Sequence, residues 1–153
     1  MLAYIKHRIG IKAPLEKVYQ ALTSINGLAG WWTTDTSGSA AMGDNIFFRF
    51  TNEQGKALGA IKMEVRLLEE NETVHWVCQE GPKEWIGTDI VFDIHEEDGF
   101  SIVLFQHCNW KQWVEFTAHC SMKWAVFMLS LKELLETGKG KPAPLDMKID
   151  NWN

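Results

Sequence analysis

The feature that most constrains the fold is a long helical pattern near the carboxyl terminus. Between Ala118 and Thr137 apolar residues recur at steps of three and four, and no Pro or Gly interrupts them. This spacing predicts an amphipathic helix of about 20 residues, roughly 30 Å long. Gly138 follows at the position where a left-handed residue ends many helices. The apolar face of the helix comprises Trp124, Phe127, Met128, Leu131, Leu134 and Leu135.

Ahead of this helix, alternating apolar and polar residues predict strands joined by short turns. The clearest example is Ile61 to Leu67, where every second residue is apolar and those between are charged. The stretch between Thr33 and Asp44 has no periodicity and is expected to be a loop. The other predicted strands are 2–11, 46–51, 73–80, 89–95 and 100–110, the last with apolar residues on both faces.

Two short helices are expected after the first strand. Pro14 suits a first helical turn, where its missing N–H would be unpaired anyway, and Leu15, Val18 and Leu22 continue as an apolar stripe. A second short helix or turn carries Trp31 and Trp32. The predicted fold class is therefore α+β, with a curved antiparallel six-stranded sheet wrapped around the long carboxy-terminal helix. We expect residues 1–153 to form one domain.

Charge and composition argue against several classes of function. The formal charge is −5 and no basic stripe is present, which argues against nucleic acid as a partner. No apolar run approaches the roughly 18 residues that span a bilayer, and the amino-terminal segment does not resemble a signal peptide. The odd set of Cys78, Cys108 and Cys120 lacks a CxxC pair. Reduced thiols and a cytoplasmic location are expected.

Eight Trp and eight Phe against two Tyr are the unusual part of the composition. Wide apolar side chains either fill a core or line a pocket for a flat or apolar ligand, and composition does not choose between them. In the pocket interpretation, movement of the 33–44 loop against the last helix would admit the ligand. The predicted ligand-binding residues are Trp31, Trp32, Phe48, Met63, Trp76, Phe92, Trp113, Cys120, Trp124 and Phe127.

Candidates for acid–base chemistry stand near the start of the last helix, where the mouth of such a pocket is expected. They are His107 and Glu115, with His119 as a third. Each would need to face the cavity with a shifted pKa to act as a catalyst. Lys123 either holds a carboxylate of the ligand at the mouth or is a solvated surface lysine.

A metal site is not expected. His107-Cys108 and His119-Cys120 contain the usual zinc ligands. However, adjacent residues on a strand or a helix point in different directions, so each pair supplies only one ligand.

Two segments resemble a known superfamily. The first has the pattern C-x3-W-x4-LSLK-x2-LETG-x-G-x-P from Cys120 to Pro142, and the second has I-x-AP-x-E-x-VY-x-AL from Ile11 to Leu22, followed by Trp31-Trp32. Both resemble the START-like, or SRPBCC, superfamily that includes the birch-pollen allergens. Within it, the branch named for the activator of the heat-shock-protein-90 ATPase is the most similar. The resemblance covers nearly the whole chain and implies a helix-grip fold.

The resemblance leaves several functions open, because relatives include lipid carriers, polyketide cyclases and co-chaperone modules. We predict binding of a small hydrophobic or amphipathic molecule between the sheet and the carboxy-terminal helix, without a metal or a tightly held cofactor. One alternative is a cyclase- or hydrolase-like enzyme that uses His107 or Glu115. The other is a co-chaperone-like protein-interaction module. The sequence favours binding over catalysis and leaves a homodimer open.

Overall fold

One antiparallel sheet of seven strands forms the frame of the computed structural model, which describes residues 2–153. The spatial order is β1-β7-β6-β5-β4-β3-β2. Strands β2 to β7 therefore form a meander, and β1 joins it at the far edge, beside β7. The strands are β1 (Ala3–Ile11), β2 (Asp35–Gly38), β3 (Asn45–Thr51), β4 (Ala57–Glu69), β5 (Thr73–Glu80), β6 (Asp89–Glu97) and β7 (Phe100–Trp110).

The prediction of six strands was wrong, because β2 lies inside the stretch expected to be a loop. β2 pairs with β3 from Asp35 opposite Arg49 to Gly38 opposite Ile46. Its sequence, DTSG, carries no apolar side chain, and none of its residues is fully buried. Backbone pairing along one edge forms this strand, so hydrophobic alternation gives no signal for it.

Three helices accompany the sheet: α1 (Leu15–Thr23), α2 (Ile25–Trp31) and α3 (Glu115–Thr137). The Ser24 hydroxyl caps α2 by accepting the Gly27 N–H at 3.0 Å. Gly138 ends α3 with a positive φ of 91°, and its N–H donates to the Leu134 carbonyl, as the sequence predicts. No helix within residues 2–153 is long and apolar enough to cross a membrane.

A continuous apolar core joins the helices to one face of the sheet. Trp32, at the end of α2, lies at its centre. Its ring stacks on Trp76 of β5 at 6.1 Å and contacts Trp124 of α3 at 5.0 Å between centroids. Trp124 in turn packs against Phe105 of β7 at 4.5 Å. This aromatic cluster fills the middle of the sheet face, and a cavity lies towards one end of α3.

Candidate ligand cavity

A cavity of about 470 Å³ opens beside the first half of α3. Its walls come from α3, the ends of β3 and β4, the loop after β5 and the tail that follows α3. Pockets that hold small molecules typically measure about 300–1,000 Å³, so the space suits one such ligand. Its aromatic lining residues are Trp32, Phe50, Trp85, Phe116, Trp124, Phe127 and Trp152.

Four of the ten predicted ligand-binding residues line this cavity: Trp32, Cys120, Trp124 and Phe127. Five others are fully buried but lie outside it, in the core. Their neighbours from α2 and α3 pack directly on them, as Trp31 does edge-on to Phe92 at 6.1 Å. Alternation predicts which face a side chain occupies but not whether another side chain covers it. The five residues are Trp31, Phe48, Met63, Trp76 and Phe92.

The tenth predicted residue, Trp113, is 55% exposed and lies outside the cavity. It stands in the short connection between β7 and α3. That connection ends with Val114, whose N–H donates to the Thr117 hydroxyl at 3.1 Å as α3 begins. Phe116, the second residue of α3, lines the cavity instead. Phe116 was missed because α3 begins at Glu115, three residues before the predicted start at Ala118.

The tail after α3 forms one wall that the sequence analysis missed. Ala143 is buried, its N–H donates to the Trp32 carbonyl at 2.7 Å, and its carbonyl accepts the Thr34 N–H at 3.1 Å. These bonds hold the tail against the end of α2. From there it continues past Asp146 to Trp152, both of which line the cavity. The only hint in the sequence is a late Trp in a segment rich in Pro and Lys.

We expected residues 33–44 to form the gate of the cavity, but they do not. None of those residues lines it. Leu58 and Gly59 of β4, Pro82 after β5 and the tail line the cavity instead. The expected gate is held in place by the pairing of β2 with β3.

Charged groups at the cavity belong mainly to one buried ion cluster. The Lys123 ammonium contacts Asp146, and it also donates to the Met147 carbonyl at 2.9 Å and the Asn153 carbonyl at 3.0 Å. The Asp146 side chain is 2% exposed and also accepts from Lys148 at 3.1 Å. Lys123 is therefore neither solvated nor free: its three donors fasten the tail to α3.

The predicted catalytic residues do not meet at the cavity. His107 is fully buried outside it, and its two ring nitrogens contact Thr88 at 2.8 Å and Trp124 at 3.1 Å. Glu115 is exposed and does not line it. His119 does line it, and its Nδ1 lies 2.7 Å from an Asp150 oxygen. This hydrogen bond lowers the pKa of the Asp150 carboxyl.

The His and Cys residues of the two pairs do not form a metal site in the described part of the chain. Within residues 2–153 no three His, Cys, Asp or Glu side chains converge on one point. His107 and His119 stand on different elements, and the residue that follows each of them, Cys108 or Cys120, is separately buried.

One polar group in the cavity wall has no oxygen or nitrogen partner. Trp85 is 7% exposed, and its indole N–H finds no such acceptor in the described chain. The N–H faces the Cys120 thiol, and sulfur is a weak acceptor. A buried donor without a good acceptor costs about 1–3 kcal/mol. The Trp85 ring itself stacks on Trp124, with centroids 5.9 Å apart and an angle of 17° between the planes.

The sheet, the long helix and the cavity between them define a helix-grip α+β protein. The family model described as Activator of Hsp90 ATPase homolog 1-like protein matches residues 12–136. The chain belongs to this family, which confirms the resemblance found in the sequence. No curated protein matches the chain significantly.

One solved structure supports the same assignment, and two others share the fold. The Aha1 dimer from Colwellia psychrerythraea is 45% identical, with a TM-score of 0.77 over 90% of this chain and 99% of that one. The protein SSP2350 from Staphylococcus saprophyticus is 19% identical, with a TM-score of 0.73 over 90% and 95% of the two chains. DynU16, a putative protein in the dynemicin biosynthetic locus, is 18% identical, with a TM-score of 0.71 over 90% and 48%. The last two comparisons show the fold alone.

Proposed function

We propose that the chain binds a small apolar or amphipathic molecule in the cavity, without a metal or a tightly held cofactor. The observation that carries this proposal is the cavity itself, which keeps about 470 Å³ open in a core that large aromatic side chains otherwise fill. Protein interiors are normally packed as densely as organic crystals. Space of this size beside Trp32, Trp124 and Phe127 therefore favours a binding role over a purely structural one.

The binding energy would come chiefly from removing apolar ligand surface from water, at about 25 cal/mol per Å². Aromatic rings on several sides favour flat ligands, because offset stacking and edge contacts add to area burial. Polar groups are few and stand in fixed positions. They would orient the ligand without supplying most of its affinity.

The tail is the part of the wall best suited to open. Beyond Ala143 it has no regular secondary structure, and Lys123 fastens it from α3. Ligand entry in this proposal requires residues 145–153 to move away from α3 while the sheet and the helix stay in place.

Catalysis has no comparable support. His107 has both ring nitrogens occupied away from the cavity, and Glu115 is in solvent. His119 does line the cavity, but its Nδ1 is engaged by Asp150 of the tail. Cavity binding without turnover therefore remains our prediction.

Native mass spectrometry of the freshly purified protein and titration with the neutral fluorophore Nile red would test the proposal. Gly59→Trp is the informative variant. Gly59 shares the inward face of β4 with Ile61, and a Cβ there meets nothing within 4 Å, so a Trp would fill the cavity without displacing the core. Leu67→Trp, at the exposed far end of the same strand, is the control.

We expect saturable Nile red binding to the native protein and to Leu67→Trp, and at least tenfold weaker binding to Gly59→Trp. Equal binding by all three proteins would place the dye elsewhere and contradict the proposal. So would the absence of any binding and of any co-purified molecule.

A homodimer is the second part of the proposal. The relative from Colwellia psychrerythraea was solved as a dimer, and α3 carries Met122 and Leu129 at 57% and 59% exposure. These residues are seven positions apart and share one helix face. Light scattering should give the mass of two chains for the native protein and of one chain for Met122→Lys/Leu129→Lys. Leu104→Lys, at an exposed apolar position on β7, should leave the mass unchanged.

A cytoplasmic location completes the proposal. Its support is that all three cysteines are free and buried, which suits a reducing compartment.

A further inference from the structure

The unpartnered indole N–H of Trp85 narrows the class of ligand. Trp85 lines the cavity, is more than nine-tenths buried and lacks an oxygen or nitrogen acceptor. A second indole without an acceptor, that of Trp110, belongs to a residue outside the cavity. Of these two indoles, only that of Trp85 belongs to a residue that lines the cavity.

The Cys120 thiol is a neighbour of this N–H. The N–H is sealed from water, and the thiol that it faces also lines the cavity. For a ligand to reach the donor, the Cys120 side chain would have to rotate about its Cα–Cβ bond. A ligand oxygen would then replace sulfur as its acceptor, and oxygen is the stronger acceptor.

The charges around the cavity favour an uncharged ligand. Lys123 is the one lysine or arginine that lines the cavity within residues 2–153, and its donors are engaged by Asp146 and by the carbonyls of Met147 and Asn153. A ligand carboxylate would have to displace these groups and would then lie beside the Asp146 carboxylate. Burying an anion against a single neutral N–H does not repay its lost hydration.

We infer that the cavity takes an uncharged, flat molecule with an acceptor oxygen, such as a ketone carbonyl, and that this oxygen accepts the Trp85 N–H. The inference rests on the proposed binding function and adds the chemical class of the ligand. It separates aromatic ketones and similar neutral molecules, which the site would prefer, from fatty acids, which it would not.

Two matched probes test the acceptor. 9-Fluorenone and fluorene have the same flat ring system, and only fluorenone carries a carbonyl. Equilibrium dialysis should give about fivefold to tenfold tighter binding of fluorenone by the native protein, the effect of one buried hydrogen bond. Trp85→Phe keeps a ring and removes the donor, so its two affinities should agree within about twofold.

Cys120 supplies a second pair of variants, which keeps the test valid even if Trp85→Phe does not fold. Cys120→Ser places a hydroxyl acceptor beside the Trp85 N–H and should abolish the preference for fluorenone. Cys120→Ala removes the sulfur without adding an acceptor, so this variant should retain the preference for fluorenone. Fluorene-9-carboxylate should bind the native protein more weakly than fluorene does.

Each opposite outcome has a distinct meaning. Equal binding of fluorenone and fluorene by the native protein would contradict the inference that the ligand carries an acceptor oxygen. A preference that survives in both Trp85→Phe and Cys120→Ser would overturn the role of Trp85. Tighter binding of the carboxylate would overturn the uncharged class. Failure of all three probes to bind would instead overturn the proposed binding function.

Discussion

The Trp124 indole N–H donates to Nδ1 of His107 at 3.1 Å, and this bond fixes the protonation state of a fully buried histidine. An indole can only donate, so Nδ1 is the acceptor and the single ring proton lies on Nε2. Nε2 then donates to the Thr88 hydroxyl at 2.8 Å, and that hydroxyl donates to the Trp85 carbonyl at 2.5 Å. The line of bonds connects α3, β7 and the loop before β6 behind the cavity wall.

This neutral histidine predicts a loss of stability in acid. Burial lowers the pKa of His107 to about 3, although nearby Asp89 acts in the opposite direction. The unfolded chain takes up this proton near pH 6.5, so the folded state binds fewer protons between the two values. The free energy of unfolding should therefore fall as pH decreases below about 6.5, by up to about 1.4 kcal/mol per pH unit from this residue.

Urea denaturation across that pH range checks the prediction. His107→Gln can keep polar contacts and does not titrate, so its free energy of unfolding should fall less steeply as the pH is lowered. The difference in slope should correspond to about one proton fewer taken up on unfolding. His95→Gln removes an exposed histidine and should reproduce the native slope. Identical slopes for all three proteins would show that His107 is protonated in the folded state.

Lys123→Met should release the tail. The substitution removes the hydrogen bonds from α3 to Asp146, Met147 and Asn153 while keeping the apolar stem. We expect faster amide hydrogen exchange in residues 145–153 and a loss of about 1–3 kcal/mol in the free energy of unfolding.

Lys141→Met is the matched control for the tail. Lys141 lies in the same segment, but its ion pair with Glu133 is long, at 3.8 Å, and its side chain is 66% exposed. Such surface pairs contribute little, so stability should change by less than about 0.5 kcal/mol. Equal protection of the tail in the two variants would show that Lys123 does not hold it.

The three thiols should react slowly in the folded protein. Burial raises the pKa of both Cys78 and Cys120 to about 12, and burial also raises that of Cys108. The reactive thiolate is therefore scarce at pH 8, and access is limited as well. Labelling with a chromogenic disulfide should be slow in buffer and rapid for all three in urea. Rapid labelling of one thiol in buffer would reveal local opening.

Gly140→Ala should be more destabilising than Gly138→Ala. A Cβ on Gly140 would lie 2.5 Å from the Gly30 carbonyl oxygen and 2.9 Å from that of Ser130, and backbone atoms do not move easily. A Cβ on Gly138 meets open space, so only its positive φ opposes the change. We expect losses of more than about 2 kcal/mol and of about 1 kcal/mol respectively, measured by thermal or urea unfolding. The reverse order would contradict the packing described for the tail.

The sequence predicts the elements with strong periodicity. The stripe on α3, its Gly138 end and the strand around Ile61 and Met63 each have a clear pattern, and the structure contains them at nearly the expected residues. β2 has no such pattern, because pairing with β3 alone forms it. Local patterns therefore predict the frame of the molecule and miss an edge that depends on backbone pairing.

The cavity is less predictable for a different reason. Periodicity assigns both Trp76 and Trp124 to the interior, but only packing decides that Trp124 meets open space and Trp76 does not. Trp85 and Trp152 come from a loop and a tail, where no periodicity exists to be read. Long-range contacts alone bring these two residues to the cavity, whereas the other missed aromatic residues, Phe50 and Phe116, lie near the ends of β3 and α3.

The sheet order has a consequence for the way the molecule is made. β1 is synthesised before the other six strands, yet its only neighbour in the sheet is β7, with Ile11 opposite Ser101 and Ala3 opposite Trp110. The meander from β2 to β7 can assemble by local hairpins as it emerges, whereas β1 must wait until most of the chain has been synthesised. α3, which packs on β1, emerges later still. The earliest of the seven strands is therefore among the last to gain its partner, and the nascent chain carries β1 as an unpaired, half-apolar strand until β7 has been synthesised.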